Sequence, residues 1–162
     1  AIPGTEGFMH RIGGLEKSNE TGAISTDPEN HHLMTRLRTE KVEKIADSLP
    51  LLEVEGDPEA DLLIVGFGGT YGHLHSAMDT LNKQGKKAAL AHLRYINPLP
   101  KNTAEILRRF PKVVVAEQNM GQLAGYLRMK VEGIHLYQFN QVKGQPFVVQ
   151  ELVDAFTKIM EE

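Results

Sequence analysis

Residues 61–83 constrain the fold of this chain more than any other stretch of the sequence. Residues 62–65 form a continuous apolar run (LLIV), which predicts a strand buried on both sides, as in a parallel sheet covered by helices. The glycines at positions 66, 68, 69 and 72 then let the backbone turn sharply. Apolar side chains recur behind them at helical spacing, at Leu74, Ala77, Met78 and Leu81. This order of strand, glycine turn and helix predicts the opening unit of an α/β domain.

Further strands and helices follow in alternation. Apolar runs predict strands at residues 87–93, 112–116 and 134–140, and residues 51–54 predict an edge strand brief enough to be antiparallel. The spacing of apolar residues predicts helices at about residues 28–48, 102–110, 122–130 and 146–160. Asn102, with Glu105 three residues later, predicts a reciprocal cap at the start of the second helix in this series.

The predicted fold class is therefore α/β, with three α/β/α layers around a mostly parallel five-stranded sheet that has one antiparallel edge strand. We assign this domain to residues 50–162. Residues 1–49 are predicted to form an extended connector arm plus a helix, because residues 1–26 are rich in Gly, Ser, Thr and Glu and show little apolar periodicity. The opening AIPGTEGF reads like the middle of a sequence, so we expect the chain to be a piece of a longer protein.

Composition excludes several classes of function. The chain has 18 Lys and Arg against 21 Asp and Glu, which are interspersed along the sequence, so binding to nucleic acid or to an anionic membrane has little electrostatic support. The absence of cysteine excludes thiolate zinc sites and iron–sulfur ligation within the chain and fits a cytoplasmic location. No apolar run approaches the roughly 18 residues that a membrane span needs. We expect neither nucleic acid nor a membrane as a partner.

The glycine turn leaves three interpretations open. Gly66 and Gly68 follow a strand as in a dinucleotide fingerprint, but the third glycine, Gly72, comes one residue late and the next strand ends without an acidic residue. The turn is then either a tight connection alone, an anion site at the start of the helix, or a dinucleotide site. The candidate cofactor-binding residues are Gly66, Gly68, Gly69 and Thr70.

The histidines do not predict a metal site. His31 and His32 are adjacent and His73 and His75 are two residues apart, so neither pair shares one face of a helix. No His-Glu-x-x-His spacing and no Gly-x-Ser-x-Gly motif occurs in the sequence. We therefore assign no metal ligand and no catalytic residue to this chain.

Polar residues directly follow the predicted strand at 112–116. Glu117, Gln118 and Asn119 come at its carboxyl end, where open α/β sheets present their functional groups. One interpretation is a hydrogen-bonded turn that leads into Gly121. The other is contact with a partner domain or a ligand, with Glu117, Gln118, Asn119 and Gln122 as interface candidates.

Several segments together resemble the α subunit of 2-oxoacid:ferredoxin oxidoreductases, in particular those of the 2-oxoglutarate type. Residues 2–22 and 27–45 resemble the connector of that subunit. Its C-terminal domain is similar to residues 57–72, 92–100 (HLRYINPLP), 113–128 (VVVAEQNMGQLAGYLR) and 143–153. The resemblance covers essentially the whole chain, and its most specific parts are EQN-x-GQL and INPLP.

This resemblance implies a fold like the C-terminal domain of transketolase, with residues 51–54 as the antiparallel edge strand. It implies a complex that converts a 2-oxoacid and CoA to acyl-CoA, CO2 and reduced ferredoxin with thiamine diphosphate, magnesium and iron–sulfur clusters. The chain itself would be a non-catalytic scaffold domain, inactive alone and without a cofactor of its own. Its partners would be other domains of the same subunit, the β subunit and, through the complex, ferredoxin. The alternative is a stand-alone nucleotide- or anion-binding module that uses the Gly66–Gly72 turn.

Overall fold

The apolar run at residues 62–65 lies in the middle of a five-stranded sheet, and its side chains are fully enclosed. The strands are β1 (Glu55–Gly56), β2 (Leu62–Phe67), β3 (Ala88–Leu93), β4 (Lys112–Glu117) and β5 (Tyr137–Asn140). Their order across the sheet is β1-β3-β2-β4-β5. All neighbouring pairs are parallel except β1 and β3. The predicted sheet, mostly parallel with one antiparallel edge strand, is confirmed.

Helices cover both faces of this sheet. In chain order the helices are α1 (Pro28–Lys44), which precedes the sheet in sequence, and then α2 (Tyr71–Lys83), α3 (Thr103–Arg109), α4 (Gln122–Lys130) and α5 (Val149–Glu161), which cover it. Residues of α2 and α5 pack with Leu62 and Ile64 in one apolar cluster. Residues of α3 and α4 pack with Leu63 and Val65 in another. Alternate side chains of one strand thus belong to opposite faces, and the predicted three-layer α/β/α architecture is confirmed.

This computed structural model describes residues 2, 4–9 and 13–162. The chain divides into two compact units, Ala1–Lys44 and Ile45–Glu162. The predicted domain ranges, 1–49 and 50–162, place the boundary five residues later and stay a prediction. The parts of the predicted connector arm at residues 1, 3 and 10–12 lie outside the described residues.

In the first unit, residues 16–25 form a small loop that is fastened to α1. Nδ1 of His31 lies 2.9 Å from Glu16 Oε2, and the Arg38 guanidinium donates to the same oxygen at 3.2 Å. The hydrogen bond with His31 lowers the pKa of Glu16, and Arg38 acts in the same direction. The Asn30 side chain donates to the carbonyl of Lys17 and accepts from the N–H of Asn19, both at 3.0 Å. This part of the predicted arm is therefore folded back rather than extended.

The antiparallel edge strand lies at Glu55–Gly56 and not at residues 51–54, where the sequence predicts it. The side chain of Asn102 accepts from the Leu52 N–H at 2.8 Å and donates to the Leu52 carbonyl at 2.9 Å. These two bonds occupy the backbone groups of Leu52, so that residues 51–54 do not join the ladder. The predicted reciprocal cap is wrong for the same reason, because the Asn102 side chain turns to Leu52 and not to α3.

Replacing Asn102 by alanine is expected to lower the free energy of unfolding by about 2 kcal/mol, because two half-buried hydrogen bonds are lost together. Asn102→Asp is the matched control. It keeps an acceptor for the Leu52 N–H but turns a carboxylate oxygen towards the Leu52 carbonyl, so its loss is expected to be at least as large. Urea unfolding at an unchanged m-value measures both losses. An alanine variant as stable as the original chain would contradict this role.

Candidate functional site

Gly66 lies inside β2, where the sheet packs directly against α2. A Cβ atom at this position would lie 2.2 Å from Leu74 Cδ1 and 2.9 Å from Thr70 Oγ1. Both Leu74 and Thr70 are buried, so neither has room to withdraw. The absence of a side chain at residue 66 therefore lets the helix approach the strand.

The rest of the glycine turn is a short 3-10 turn, Gly68–Thr70, which leads directly into α2. Gly68 has a φ of +61°, a conformation that favours glycine. Thr70 is 4% exposed, and its hydroxyl donates to the carbonyl of Phe67 at 2.8 Å. This geometry agrees with a tight connection, and a cofactor role for Gly66, Gly68, Gly69 and Thr70 stays a prediction.

Glu117, the last residue of β4, is completely enclosed. Its two carboxylate oxygens accept hydrogen bonds from the backbone N–H groups of Leu123 at 2.8 Å and Ala124 at 3.0 Å. These N–H groups belong to the first turn of α4, where the helix has unpaired donors and a partial positive charge. The side chain of Glu117 therefore caps α4 from inside the protein, and both of its oxygens have partners.

The loop between Glu117 and α4 is closed by amide side chains. Asn119 Oδ1 accepts from the N–H groups of Gly121 at 2.8 Å and Gln122 at 3.0 Å. Gln122 Oε1 accepts from the N–H of Met120 at 3.0 Å. Gln118 is exposed and donates through Nε2 to the carbonyl of Gln145 at 2.8 Å. The loop is thus a hydrogen-bonded turn, and the interface role predicted for Gln118, Asn119 and Gln122 stays a prediction.

This loop borders a recess at the carboxyl edge of the sheet, which we call the β2/β4 recess. The chain leaves β2 towards β3 and leaves β4 towards β5, so the recess lies at the point where open α/β sheets bind their ligands and partners. Its volume is about 470 Å³, and its lining combines the polar side chains of His73, Gln118, Gln141 and Gln145 with the apolar Val142 and Pro146. Of these, Val142 is 64% exposed, and Met120, in the adjoining loop, is 78% exposed. Uncharged polar groups beside exposed apolar side chains are typical of the centre of a protein interface.

A larger cavity of about 570 Å³, which we call the β2/β3 cavity, lies at the carboxyl ends of β2 and β3. At its wall the hydroxyl of Tyr71 donates to Glu55 Oε2 at 3.0 Å, and the Tyr71 ring meets the His92 ring edge-on at 5.2 Å. The hydrogen bond to Glu55 raises the pKa of Tyr71. Sequence analysis did not select Glu55, Tyr71 or His92. The available signal was the position of His92 and Arg94 at the end of the strand predicted at residues 87–93.

Burial of the imidazole lowers the pKa of His92 below its ordinary value of 6.5. The folded chain thus binds this proton less readily than the unfolded chain does. The neutral His92 imidazole suits the folded state, so its contribution to the stability of the fold is complete above pH 6.5. This contribution is lost as the pH falls from 6.5 through the lower pKa of the folded state. We expect the His92 ring resonances to titrate below pH 6.5 in an NMR experiment. In His92→Gln, stability should depend less on pH over the same interval; an unchanged dependence, or a titration at or above 6.5, would contradict this prediction.

Two searches of the described residues, 2, 4–9 and 13–162, concern metals and membranes. No group of three or more His, Asp or Glu side chains in this part of the chain could hold a metal ion. Across the same residues, no helix is long and apolar enough to cross a membrane.

Comparison with known proteins shows that this chain is similar to subunits of oxidoreductases. Residues 60–152 match the family of pyruvate:ferredoxin oxidoreductase core domain II. The chain is 49% identical to 2-oxoglutarate oxidoreductase subunit KorA of Mycobacterium tuberculosis over 94% of its own length and 23% of that subunit. It is 30% identical to the α subunit of 2-oxoacid:ferredoxin oxidoreductase 1 of Aeropyrum pernix, over 90% of its length and 24% of the relative. The chain therefore spans about a quarter of the length of these relatives.

Solved structures show the same fold. A 2-oxoglutarate:ferredoxin oxidoreductase from Magnetococcus marinus, with 2-oxoglutarate, coenzyme A and succinyl-CoA bound, superposes with a TM-score of 0.85 at 32% identity, covering 99% of this chain and 28% of that one. A split-gene transketolase superposes with a TM-score of 0.54 at 19% identity, covering 67% of this chain and 41% of the transketolase chain. The second similarity concerns the fold alone, and it confirms the predicted likeness to transketolase.

Proposed function

The chain belongs to the family of pyruvate:ferredoxin oxidoreductase core domain II, and we propose that it is a non-catalytic scaffold domain in the α subunit of a 2-oxoacid:ferredoxin oxidoreductase. The family resemblance predicted from the sequence is thereby confirmed. The observation that carries the proposal is the 49% identity to a 2-oxoglutarate oxidoreductase subunit over 94% of this chain. We propose 2-oxoglutarate as the 2-oxoacid, with conversion of 2-oxoglutarate and CoA to succinyl-CoA, CO2 and reduced ferredoxin by the complete complex in the cytoplasm.

A scaffold role agrees with the structural roles of Gly66 and Glu117. Gly66 lets α2 approach the sheet, and Glu117 caps α4 from the interior. The residues therefore serve the rigidity of the block. A thiamine-dependent reaction needs a dry pocket whose walls hold their positions. A rigid α/β block can keep neighbouring domains in place without touching the substrate.

The cofactors of such a complex are proposed to bind outside this chain. The sequence contains no cysteine for an iron–sulfur cluster. The Thr70 hydroxyl, which would be the side-chain donor of a diphosphate site at the glycine turn, already donates to the Phe67 carbonyl. These residues do not fit thiamine diphosphate or a cluster, so we derive no catalytic step from them. The comparisons give no support to the alternative of a stand-alone nucleotide- or anion-binding module.

The surface around the β2/β4 recess is the proposed interface with the rest of the complex, meaning other domains of the α subunit or the β subunit. Gln118, Asn119 and Gln122 reach this surface, whereas Glu117 supports it from below. Met120, 78% exposed in the loop between Gln118 and Gln122, would supply apolar contact area. Ferredoxin would be a partner through the complex, and neither nucleic acid nor a membrane is proposed.

Deletion of residues 50–162 from the full-length α subunit tests the scaffold role. We expect the truncated subunit not to co-purify with the β subunit, so that oxidoreductase activity is lost with assembly. Two exposed methionines provide matched point variants, since Met120 is 78% and Met129 76% exposed. Met120→Asp should weaken co-purification, whereas Met129→Asp, on α4, should not. An assembled, fully active complex without residues 50–162 would overturn the proposal.

A further inference from the structure

Residues 51–54 form a strand-like segment that pairs with no strand. Their side chains alternate between solvent and core, with Leu51 62% exposed, Leu52 7% exposed, Glu53 exposed and Val54 half-buried. Asn102 takes both backbone groups of Leu52. In a strand the backbone groups of successive residues point to opposite sides. Because the burial of residues 51–54 alternates in the same way, we expect the N–H and C=O groups of Leu51 and Glu53 to point away from Asn102. Within the described part of the chain these groups have no hydrogen-bond partner.

The β2/β3 cavity lies directly beside this segment and is lined in part by Leu51, Leu52 and Glu53. Its rim carries Tyr95, which is 44% exposed, and Arg94, whose guanidinium makes no ion pair with any described residue. Tyrosine and arginine are among the residues that dominate binding energy at protein interfaces. Tyr71, in the wall, is already held by Glu55 and His92. Binding would therefore lose little conformational entropy of this side chain.

An unpaired segment beside a pocket for side chains is the arrangement that accepts an extended peptide by strand addition. In this mode the main-chain hydrogen bonds give affinity, and alternate side chains enter pockets. A small molecule would fill the cavity but would leave the backbone groups of Leu51 and Glu53 unused. The two features together therefore favour a polypeptide.

The occupant must be tethered, because the available edge is short. Backbone groups of only two residues, together with one cavity, offer far less than the roughly 1,000 Å² that a stable interface between separate proteins buries. A segment of the same polypeptide needs less intrinsic affinity, since its effective concentration is on the order of millimolar. The relatives contain such polypeptide, because this chain spans only 23% of the Mycobacterium tuberculosis subunit.

We propose that residues 51–53 and the β2/β3 cavity bind an extended segment of the same α subunit that lies outside these 162 residues. The segment pairs with the free backbone groups of Leu51 and Glu53 and places an apolar side chain in the cavity. A carboxylate of the segment meets Arg94. This inference rests on the proposed function, since it requires the remainder of the α subunit.

Cysteine labelling tests which polypeptide covers Leu51. Leu51→Cys introduces a thiol into a chain that has none, and mass spectrometry of the peptide follows its reaction with a maleimide. Three samples are compared: the 162-residue chain, the full α subunit alone, and the α subunit with the β subunit. We expect labelling in the full α subunit alone to be at least roughly tenfold slower than in the short chain, because the site is covered. The same sample unfolded in guanidinium gives the unprotected rate.

The other outcomes overturn the proposal. Protection that appears only after the β subunit is added assigns the surface to that subunit. A rate equal to that of the short chain in every sample means that no polypeptide covers the segment. Neither result changes the deletion test of the scaffold role, which depends on co-purification. If residues 50–162 prove dispensable for assembly while Leu51→Cys is protected in the α subunit, the scaffold role fails and this inference stands.

Proline substitution tests the main-chain bonds themselves. In the Leu51→Cys α subunit, Glu53→Pro removes one N–H donor while suiting an extended segment. We expect the labelling rate to rise about fivefold, the effect of one lost hydrogen bond on the open fraction. Glu53→Ala is the matched control, because it removes the carboxylate, keeps the N–H and should leave the rate unchanged. Equal rates in the two variants would overturn strand addition. If the proline variant does not fold, the comparison of the three samples decides alone.

Discussion

Glu117→Ala is expected to lower the free energy of unfolding by about 3 kcal/mol, because two N–H groups inside the protein would lose a charged acceptor. The carboxylate of Glu117 is enclosed and accepts from Leu123 and Ala124 in the first turn of α4. Water cannot replace it without entering a packed region. Urea unfolding measures the loss, and near-UV circular dichroism at low denaturant shows whether the variant still packs.

Two further variants separate the charge of Glu117 from its position. Glu117→Gln keeps the size of the side chain but points an amide donor at one of the two N–H groups, so a loss of about 2 kcal/mol is expected. Gln118→Ala, next in sequence but exposed, should change stability by no more than about 0.5 kcal/mol. If Glu117→Ala unfolds at the same urea concentration as Gln118→Ala, the carboxylate does not support α4.

This use of Glu117 also bears on the proposed interface. The loop of residues 118–121 begins at Glu117 and ends at the helix that Glu117 caps. Its conformation is fixed by the bonds of Asn119 and by Gly121, whose φ is +97°. A variant at Glu117 should therefore weaken assembly through the shape of the loop, although the side chain itself does not reach the surface.

The parts of the fold that the sequence predicted are those set by local pattern. The runs at residues 62–65 and 112–116 predicted buried strands, and the spacing of Leu152, Val153 and Phe156 predicted the buried face of α5. The edge strand was misplaced because its position depends on a distant residue. Asn102 forms a hydrogen bond with Leu52, 50 positions away in sequence. No local sequence pattern predicts that contact.

The candidate site shows the same limit. The sequence located Glu117 at the carboxyl end of a strand, which is correct, and left open whether it forms a turn or an interface. The direction of its side chain depends on α4 returning over the strand six residues later. Likewise, Glu16 gave no sign of pairing with His31 and Arg38, which lie 15 and 22 residues away. The local sequence thus predicts which element a residue belongs to, whereas its hydrogen-bond partners depend on how the elements pack.

Gly66→Ala is expected to cost about 3 kcal/mol of unfolding free energy, because a methyl group would be forced into a packed contact. The new Cβ would lie 2.2 Å from Leu74 Cδ1, and Leu74 is fully enclosed between α2 and the sheet. Relief would require Leu74 to change its rotamer or α2 to move away from β2, and either change would disturb the cluster that α2 shares with α5. Urea unfolding of the 162-residue chain measures the loss.

Gly69 and Gly72 are the matched controls, since, apart from their chain neighbours and the adjoining helix backbone, no heavy atom of the described residues lies within 4 Å of a Cβ built on either. Gly72→Ala, inside α2, should raise stability by roughly 0.5–1 kcal/mol, because alanine suits a helix better than glycine does. Gly69→Ala should stay within about 0.5 kcal/mol of the original. A packing role predicts this contrast between Gly66 and its neighbours. If all three variants were equally stable and the complex still lost activity, the glycines would serve a ligand, and the scaffold interpretation of this turn would be wrong.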